Sequence, residues 1–67
     1  MGLPDIADEL IPFASVQSAV GLKRTAIYRR IKDGSFPAPA KLGAASRWSR
    51  REIEGWVSAR LSARVPR

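Results

Sequence analysis

The sequence predicts a mostly α-helical domain that contains three helices and one short β-hairpin. Three observations support this fold class. Two short segments with helical spacing of apolar residues are joined through a glycine, a proline-interrupted segment follows them, and a serine-initiated apolar stripe comes last. At 67 residues the chain is long enough for one small domain.

The first two helices lie close together along the chain. Apolar spacing predicts a first helix over residues 13–20, and Gly21 supplies the left-handed residue that ends it. A second helix is expected over residues 24–32, stopped by Asp33-Gly34. Two helices joined by a short glycine-containing turn form a helix-turn-helix.

A small hairpin is expected after the second helix. Pro37 and Pro39 each force the preceding residue into extended backbone, so the chain must run straight here. Short strands over residues 40–42 and 47–48, around a turn at residues 43–46, would form a wing. The predicted fold is therefore a winged helix-turn-helix.

The third helix has a clear start signal. Ser49 and Glu52 have the spacing of a capping box, in which the hydroxyl and the carboxylate each accept from a backbone amide of the other residue. The apolar stripe that follows is Ile53, Trp56, Val57 and Leu61. We expect a flexible acidic lead over residues 1–9, the folded domain over residues 10–64 and a tail over residues 65–67.

The apolar residues predict one small core centred on Trp56, with Phe36 and Trp48 holding the wing. The candidate core residues are Ile11, Val16, Val20, Leu22, Ile27, Ile31, Phe36, Leu42, Trp48, Ile53, Trp56, Val57 and Leu61.

Composition excludes several function classes. The chain has no Cys and no His, so thiol chemistry, imidazole catalysis, disulfides and a structural zinc site are absent. A domain of this size has no room for a deep substrate cleft, and we expect neither an enzyme nor a cofactor. No apolar run is long enough for a membrane span, and a secretory leader is not indicated, so a cytoplasmic protein is expected.

Charge is segregated along the chain. Residues 1–22 carry three acidic residues and no basic one, whereas residues 23–67 carry all twelve Lys and Arg with three acidic residues, a net charge of +9. Such a field favours polyanions, chiefly nucleic acid, although small domains also carry excess charge for solubility.

The second helix has one cationic and polar face. Helical spacing places Ile27 and Ile31 toward the core and places Thr25, Tyr28, Arg29 and Lys32 on the opposite side. Hydrogen-bonding side chains of this kind suit base edges and phosphates in the major groove. A basic helix face that only meets solvent is the alternative interpretation.

Basic residues also stand where a helix dipole disfavours them. Lys23 and Arg24 begin the second helix, and Arg50 and Arg51 begin the third. A DNA phosphate at each helix start would resolve the conflict, so Lys23, Arg50 and Arg51 are candidate contacts to the DNA backbone.

Several sequence segments occur together in a fixed order. They are Leu10-Ile11, Phe13, Val16, Gly21-Leu22, the run from Ile27 to Gly34, Phe36-Pro37-Ala38-Pro39, Lys41-Leu42-Gly43, Trp48 and Ile53-Glu54-Gly55-Trp56. Over about residues 10–61, this combination closely resembles the AlpA-type prophage regulators.

The resemblance implies a minimal winged helix-turn-helix like that of the MerR group and of phage excisionases. It implies a recognition helix from Arg24 to Lys32 in the major groove and a wing over residues 41–47 that touches the backbone or the minor groove. Because the wing tip is uncharged, Lys41 and Arg47 are expected to supply the wing contacts.

Double-stranded DNA is thus the expected partner, and the expected role is a transcriptional regulator or an excisionase of a prophage or other mobile element. We expect a monomer that assembles cooperatively on repeated sites. The alternative is a basic interaction adaptor that docks on a phage integrase or on the transcription machinery through an exposed Phe13. RNA binding is less favoured because few aromatic residues are available for stacking.

Overall fold

The computed structural model describes residues 8–64. It contains three helices and a small antiparallel sheet, which confirms the predicted winged helix-turn-helix. The elements in chain order are β1 (Leu10–Ile11), α1 (Phe13–Val20), α2 (Arg24–Asp33), β2 (Ala40–Leu42), β3 (Ala45–Ser49) and α3 (Arg50–Ala63).

The helix-turn-helix formed by α1 and α2 follows the sequence signals. Helix α1 has the predicted bounds, and Gly21 ends it in the left-handed region with φ of 70°, its amide donating to the Gln17 carbonyl. Helix α2 runs one residue beyond the prediction and ends at Gly34, whose φ is 86°. Both ends need positive φ, which glycine adopts without steric cost.

The sheet is larger than the expected hairpin. Its strand order is β1-β3-β2, so the hairpin gains a third strand from the segment before α1. The sequence prediction missed β1, and it made the turn too long. Leu42 pairs with Ala45, which leaves only Gly43 and Ala44 in the turn, and β3 extends to Ser49 where it meets Leu10.

The start of α3 is held by residues from the other end of the chain. The Ser49 hydroxyl accepts from the Glu52 amide at 3.1 Å, as the capping box predicts. The reciprocal bond is not made by Glu52 within the described residues. Instead the Asp8 carboxylate accepts from the Arg51 amide at 2.9 Å and from the Ser49 hydroxyl at 2.6 Å, and the Glu9 carbonyl accepts from the Arg50 amide.

These contacts correct one expectation about the acidic lead. Asp8 and Glu9 were placed in a flexible segment, but both bind the start of α3 because β1 brings them beside it. The rest of the lead, residues 1–7, and the tail, residues 65–67, lie outside the described residues. The domain boundaries at residues 9 and 64 stay predictions.

The core is centred on Trp48 and not on Trp56. Trp48 is 0% exposed, and its indole N–H donates to the Pro37 carbonyl at 3.1 Å. Trp56 is only half-buried and packs edge-on against Phe36 with ring centroids 4.9 Å apart. The side chains buried in the core are Val16, Ile27, Phe36, Trp48 and Ile53.

Two of the candidate core residues were wrong. Leu61 is 54% exposed near the end of α3, where it lines a surface recess together with Ala19 and Val57. Leu42 is 51% exposed next to the hairpin turn, on the edge strand β2, whose three residues are all exposed. Among the helices of the described chain, none combines the length and apolarity that crossing a bilayer requires.

Candidate nucleic-acid interface

Helix α2 divides into an inward and an outward face as the sequence predicts. Ile27 is fully buried and Ile31 is half-buried against the core. Thr25, Tyr28, Arg29 and Lys32 lie on the side away from the core and are exposed, and Arg24, which helical spacing places nearer Ile31, is exposed as well. All five candidate residues for base and backbone recognition on α2 are therefore open to solvent.

Within the part of the chain that the structure describes, the positive charges on the exposed surface of α2 have no ion-pair partner. Both ion pairs found among residues 8–64 involve Arg50, and none involves a cation of α2. The first turn of α2 contains no acidic residue, and the Lys23 side chain does not cap it. The first intrahelical bond is from the Ile27 amide to the Lys23 carbonyl, so the amides before Ile27 are left for another acceptor.

Although Arg24 and Tyr28 are exposed to solvent, both side chains contact Phe13 of α1. The Arg24 guanidinium lies 4.3 Å from the Phe13 ring centroid and 5.9 Å from that of Tyr28. Tyr28 stacks on Phe13 with centroids 5.7 Å apart and an interplanar angle of 20°. Phe13 is therefore half-buried under two α2 side chains, and the expectation that it is an exposed docking residue was wrong.

The wing presents its two cations on opposite faces. Lys41 pairs with Ser46 across the hairpin, and its ammonium donates to the Ser46 hydroxyl at 3.0 Å. Arg47, the next residue after Ser46, points to the other face of the strand because side chains alternate. Its guanidinium donates to the Ser46 carbonyl at 3.0 Å. The structure thus does not bring Lys41 and Arg47 to a common surface.

Of the two candidate backbone contacts at the start of α3, Arg50 already has side-chain partners, whereas the exposed Arg51 guanidinium has no ion pair among residues 8–64. Arg50 forms ion pairs with Glu9 at 2.8 Å and with Glu54 at 3.1 Å, and these carboxylates raise the pKa of Arg50, Glu9 most strongly. The amide of Arg51 donates to Asp8. A phosphate would have to compete with these groups.

The helix dipole favours an anion at the start of α3, and the Asp8 carboxylate of the same chain is that anion. Hydrogen bonds, first from the Ser49 hydroxyl and then from the Arg51 amide, lower the pKa of Asp8 below its usual value. The sequence interpretation assigned this place to a DNA phosphate and missed Asp8. Asp8 lies more than forty residues before the helix it stabilises, and no local spacing signals such a contact.

The family model described as "Prophage CP4-57 regulatory protein (AlpA)" matches residues 9–61, which include every strand and both helices of the helix-turn-helix. The chain belongs to the AlpA family. This confirms the resemblance seen in the sequence. The matched range contains α2, the hairpin and all but the end of α3.

One relative of this AlpA-family protein comes from Enterobacteria phage P4, where it is described as "Uncharacterized protein ORF88". The two are 35% identical over 66 residues, a stretch that covers 96% of this chain and 75% of the relative. No solved structure matches the chain.

Proposed function

We propose that this AlpA-family protein is a sequence-specific double-stranded DNA-binding regulator of a phage or prophage, which places α2 in the major groove. One observation carries the proposal. The exposed face of α2 carries cations that have no ion-pair partner among the described residues, while Ile27 anchors the opposite face in the core. A rigidly mounted basic helix of this kind fits the width of the major groove.

The side chains in the middle of α2 are assigned to base recognition. Arg29 is exposed, and its planar guanidinium can donate two parallel hydrogen bonds to the O6 and N7 atoms of guanine. Thr25 and Lys32 flank it on the same face and extend the readable surface along the groove. Tyr28 adds a phenol hydroxyl beside them, with 38% of the residue exposed.

The start of α2 is assigned to the DNA backbone. Its first amides have no acceptor among residues 8–64, and the exposed Lys23 precedes them, so a phosphate oxygen here would be stabilised by the helix dipole and by the lysine charge. The wing supplies a further backbone contact through Lys41 or Arg47. Because these two lie on opposite faces of the hairpin, only one of them is expected to point at the duplex.

Footprinting on the DNA that flanks the coding region tests the proposal directly. A discrete protected site, bound more tightly than random duplex at the same salt concentration, is the expected result. Equal affinity for every duplex, or no binding to duplex, would contradict it. Arg60→Ala offers a control variant, since it removes one exposed cation that belongs to α3, where Arg60 lies over the Trp56 ring.

The same DNA contact serves either a transcriptional regulator or an excisionase, and the two roles differ in their readout. A reporter fused to a promoter beside the footprint measures regulation, and a recombination assay with the element's integrase measures excision. We expect the Arg29→Ala variant to lose whichever activity the wild type shows, because both depend on site recognition.

One domain of this size covers only about 600 to 1,000 Å² on DNA, so useful specificity is expected to need neighbouring copies on repeated sites. Sedimentation of the free protein as a monomer, with cooperative binding to DNA that carries tandem sites, is the expected behaviour. The alternative adaptor function rested on an exposed Phe13, and that residue is instead covered by Arg24 and Tyr28.

A further inference from the structure

The residue pair formed by Phe13 and Arg24 joins the scaffold helix α1 to the face of α2. Phe13 is the first residue of α1, and Arg24 is the first residue of α2. The guanidinium carbon of Arg24 lies 4.3 Å from the Phe13 ring centroid, well within the range of a cation–π contact. Within the described part of the chain, the Arg24 guanidinium makes no hydrogen bond, so its donors stay available.

Phe13 is itself held from two other sides. Its ring stacks on Tyr28 and is tilted against the buried Trp48, with both centroids 5.7 Å away. Tyr28 also meets the edge of Trp48 at 6.4 Å. The ring that carries the Arg24 guanidinium is therefore fixed to the largest side chain of the core, and its position does not depend on DNA.

We propose that Phe13 is a positioning residue for DNA recognition, which holds the Arg24 guanidinium on the DNA-facing surface before the duplex arrives. This inference rests on the proposed function and adds a residue outside α2 to the site. A free arginine loses rotamer entropy when it binds, and a pre-oriented one loses less. The ring face supplies that orientation, which an aliphatic side chain of similar size cannot do.

A double-mutant cycle between Phe13 and Arg24 tests the proposal. Phe13→Leu is expected to weaken binding to the footprinted site by about three- to tenfold, the cost of ordering one long side chain. In the Arg24→Gln background the same change is expected to have no further effect. Phe13→Tyr keeps the ring and is expected to bind within about twofold of wild type.

The matched control is Phe36→Leu. Phe36 packs on Trp56 as Phe13 packs on Trp48, but none of the cation–π contacts among residues 8–64 involves Phe36. This variant is expected to lose stability while the folded protein keeps its DNA affinity. An unchanged affinity for Phe13→Leu, or an equal loss with and without Arg24, would overturn the positioning role and leave Phe13 as a packing residue only.

A second measurement works on the free wild-type protein and needs no variant. NMR signals of the Arg24 side-chain protons are expected upfield of their usual positions, because the aromatic ring current acts on groups above its face. Normal chemical shifts would overturn the proposal even if Phe13→Leu does not fold. Upfield shifts without any duplex binding would instead contradict the proposed function, so the two failures are distinguishable.

Discussion

At the scale of single residues, the two tryptophans show what helical periodicity detects and what it misses. Trp56 was predicted as the core centre because it follows Ile53 at helical spacing, and that spacing does place it on the inner side of α3. Trp48 lies in a five-residue strand and is enclosed by contacts from several elements. Enclosure of this kind depends on tertiary packing, which no local pattern records.

The tryptophans are therefore expected to differ in their effect on stability. Trp48→Ala removes a fully buried ring and should reduce the free energy of unfolding by about 3 to 5 kcal/mol. Trp56→Ala removes a half-buried ring and its hydrogen bond to the Ser35 carbonyl, for a loss of about 2 kcal/mol. Urea denaturation followed by circular dichroism measures both. A larger loss for Trp56→Ala would contradict the observed core.

Arg29 carries the sharpest prediction about recognition. Arg29→Ala is expected to cost about 1 to 3 kcal/mol of binding free energy on the specific site and to relax the base preference at one position. The physical reason is the loss of a bidentate contact that one base pair alone can satisfy. Fluorescence anisotropy with specific and random duplexes checks it, with Arg60→Ala as the control. An identical loss of binding free energy on the specific and the random duplex would show that Arg29 does not recognise a base.

Among the helices and strands, sequence predicts the ends that local residues determine, but it does not predict pairing between distant segments. Gly21, Gly34 and the Ser49 cap each act within a few residues, and the structure confirms all three. Strand β1 has only two residues and forms by pairing with the end of β3, almost forty positions later. A strand this short has no periodicity of its own, so the sequence could not reveal it.

The cap on α3 makes the stability of the protein depend on pH. The pKa of Asp8 is lowered in the folded state, chiefly by the Ser49 hydroxyl, so its ionised form stabilises the fold above the pKa of the unfolded chain. That contribution is lost as the pH falls through the lowered value. The melting temperature of the wild type should therefore fall more steeply between about pH 5 and about pH 2 than that of Asp8→Asn.

The comparison for this pH profile is Glu52→Gln. Glu52 also lies at the start of α3, but its carboxylate accepts no hydrogen bond within residues 8–64. Its variant is expected to keep the acid sensitivity of the wild type, because Asp8 and Ser49 remain in place. Parallel melting profiles for Asp8→Asn and the wild type would show that Asp8 does not carry the effect.

In the molecule as a whole, most acidic residues that the structure describes lie apart from the basic residues of α2. Four of the acidic residues in the described chain, Asp8, Glu9, Glu52 and Glu54, gather near the start of α3, where Glu9 and Glu54 neutralise Arg50. The cations of α2 lie outside these pairs. Helical spacing alone predicts a basic face on α2. It does not show which cations of the chain form ion pairs, because Glu9 meets Arg50 only when β1 pairs with β3.

The difference between paired and unpaired cations predicts which of them determine the salt dependence of DNA binding. Each phosphate neutralised by the protein releases counterions, and for about four such contacts the affinity should fall about 150-fold between about 50 and about 200 mM salt. Lys23→Ala should make the slope of the logarithmic plot shallower by about one unit. Arg50→Ala should leave the slope unchanged, because Glu9 and Glu54 already hold that charge.

The two variants are matched, since each removes one exposed cation at the start of a helix. Titrations of a labelled duplex at several salt concentrations give both slopes. If Arg50→Ala flattened the plot as much as Lys23→Ala, the Arg50 ion pairs would have to open on DNA, and the start of α3 would join α2 in the interface. A slope that Lys23→Ala changes and Arg50→Ala does not would show that Lys23, and not Arg50, neutralises a phosphate.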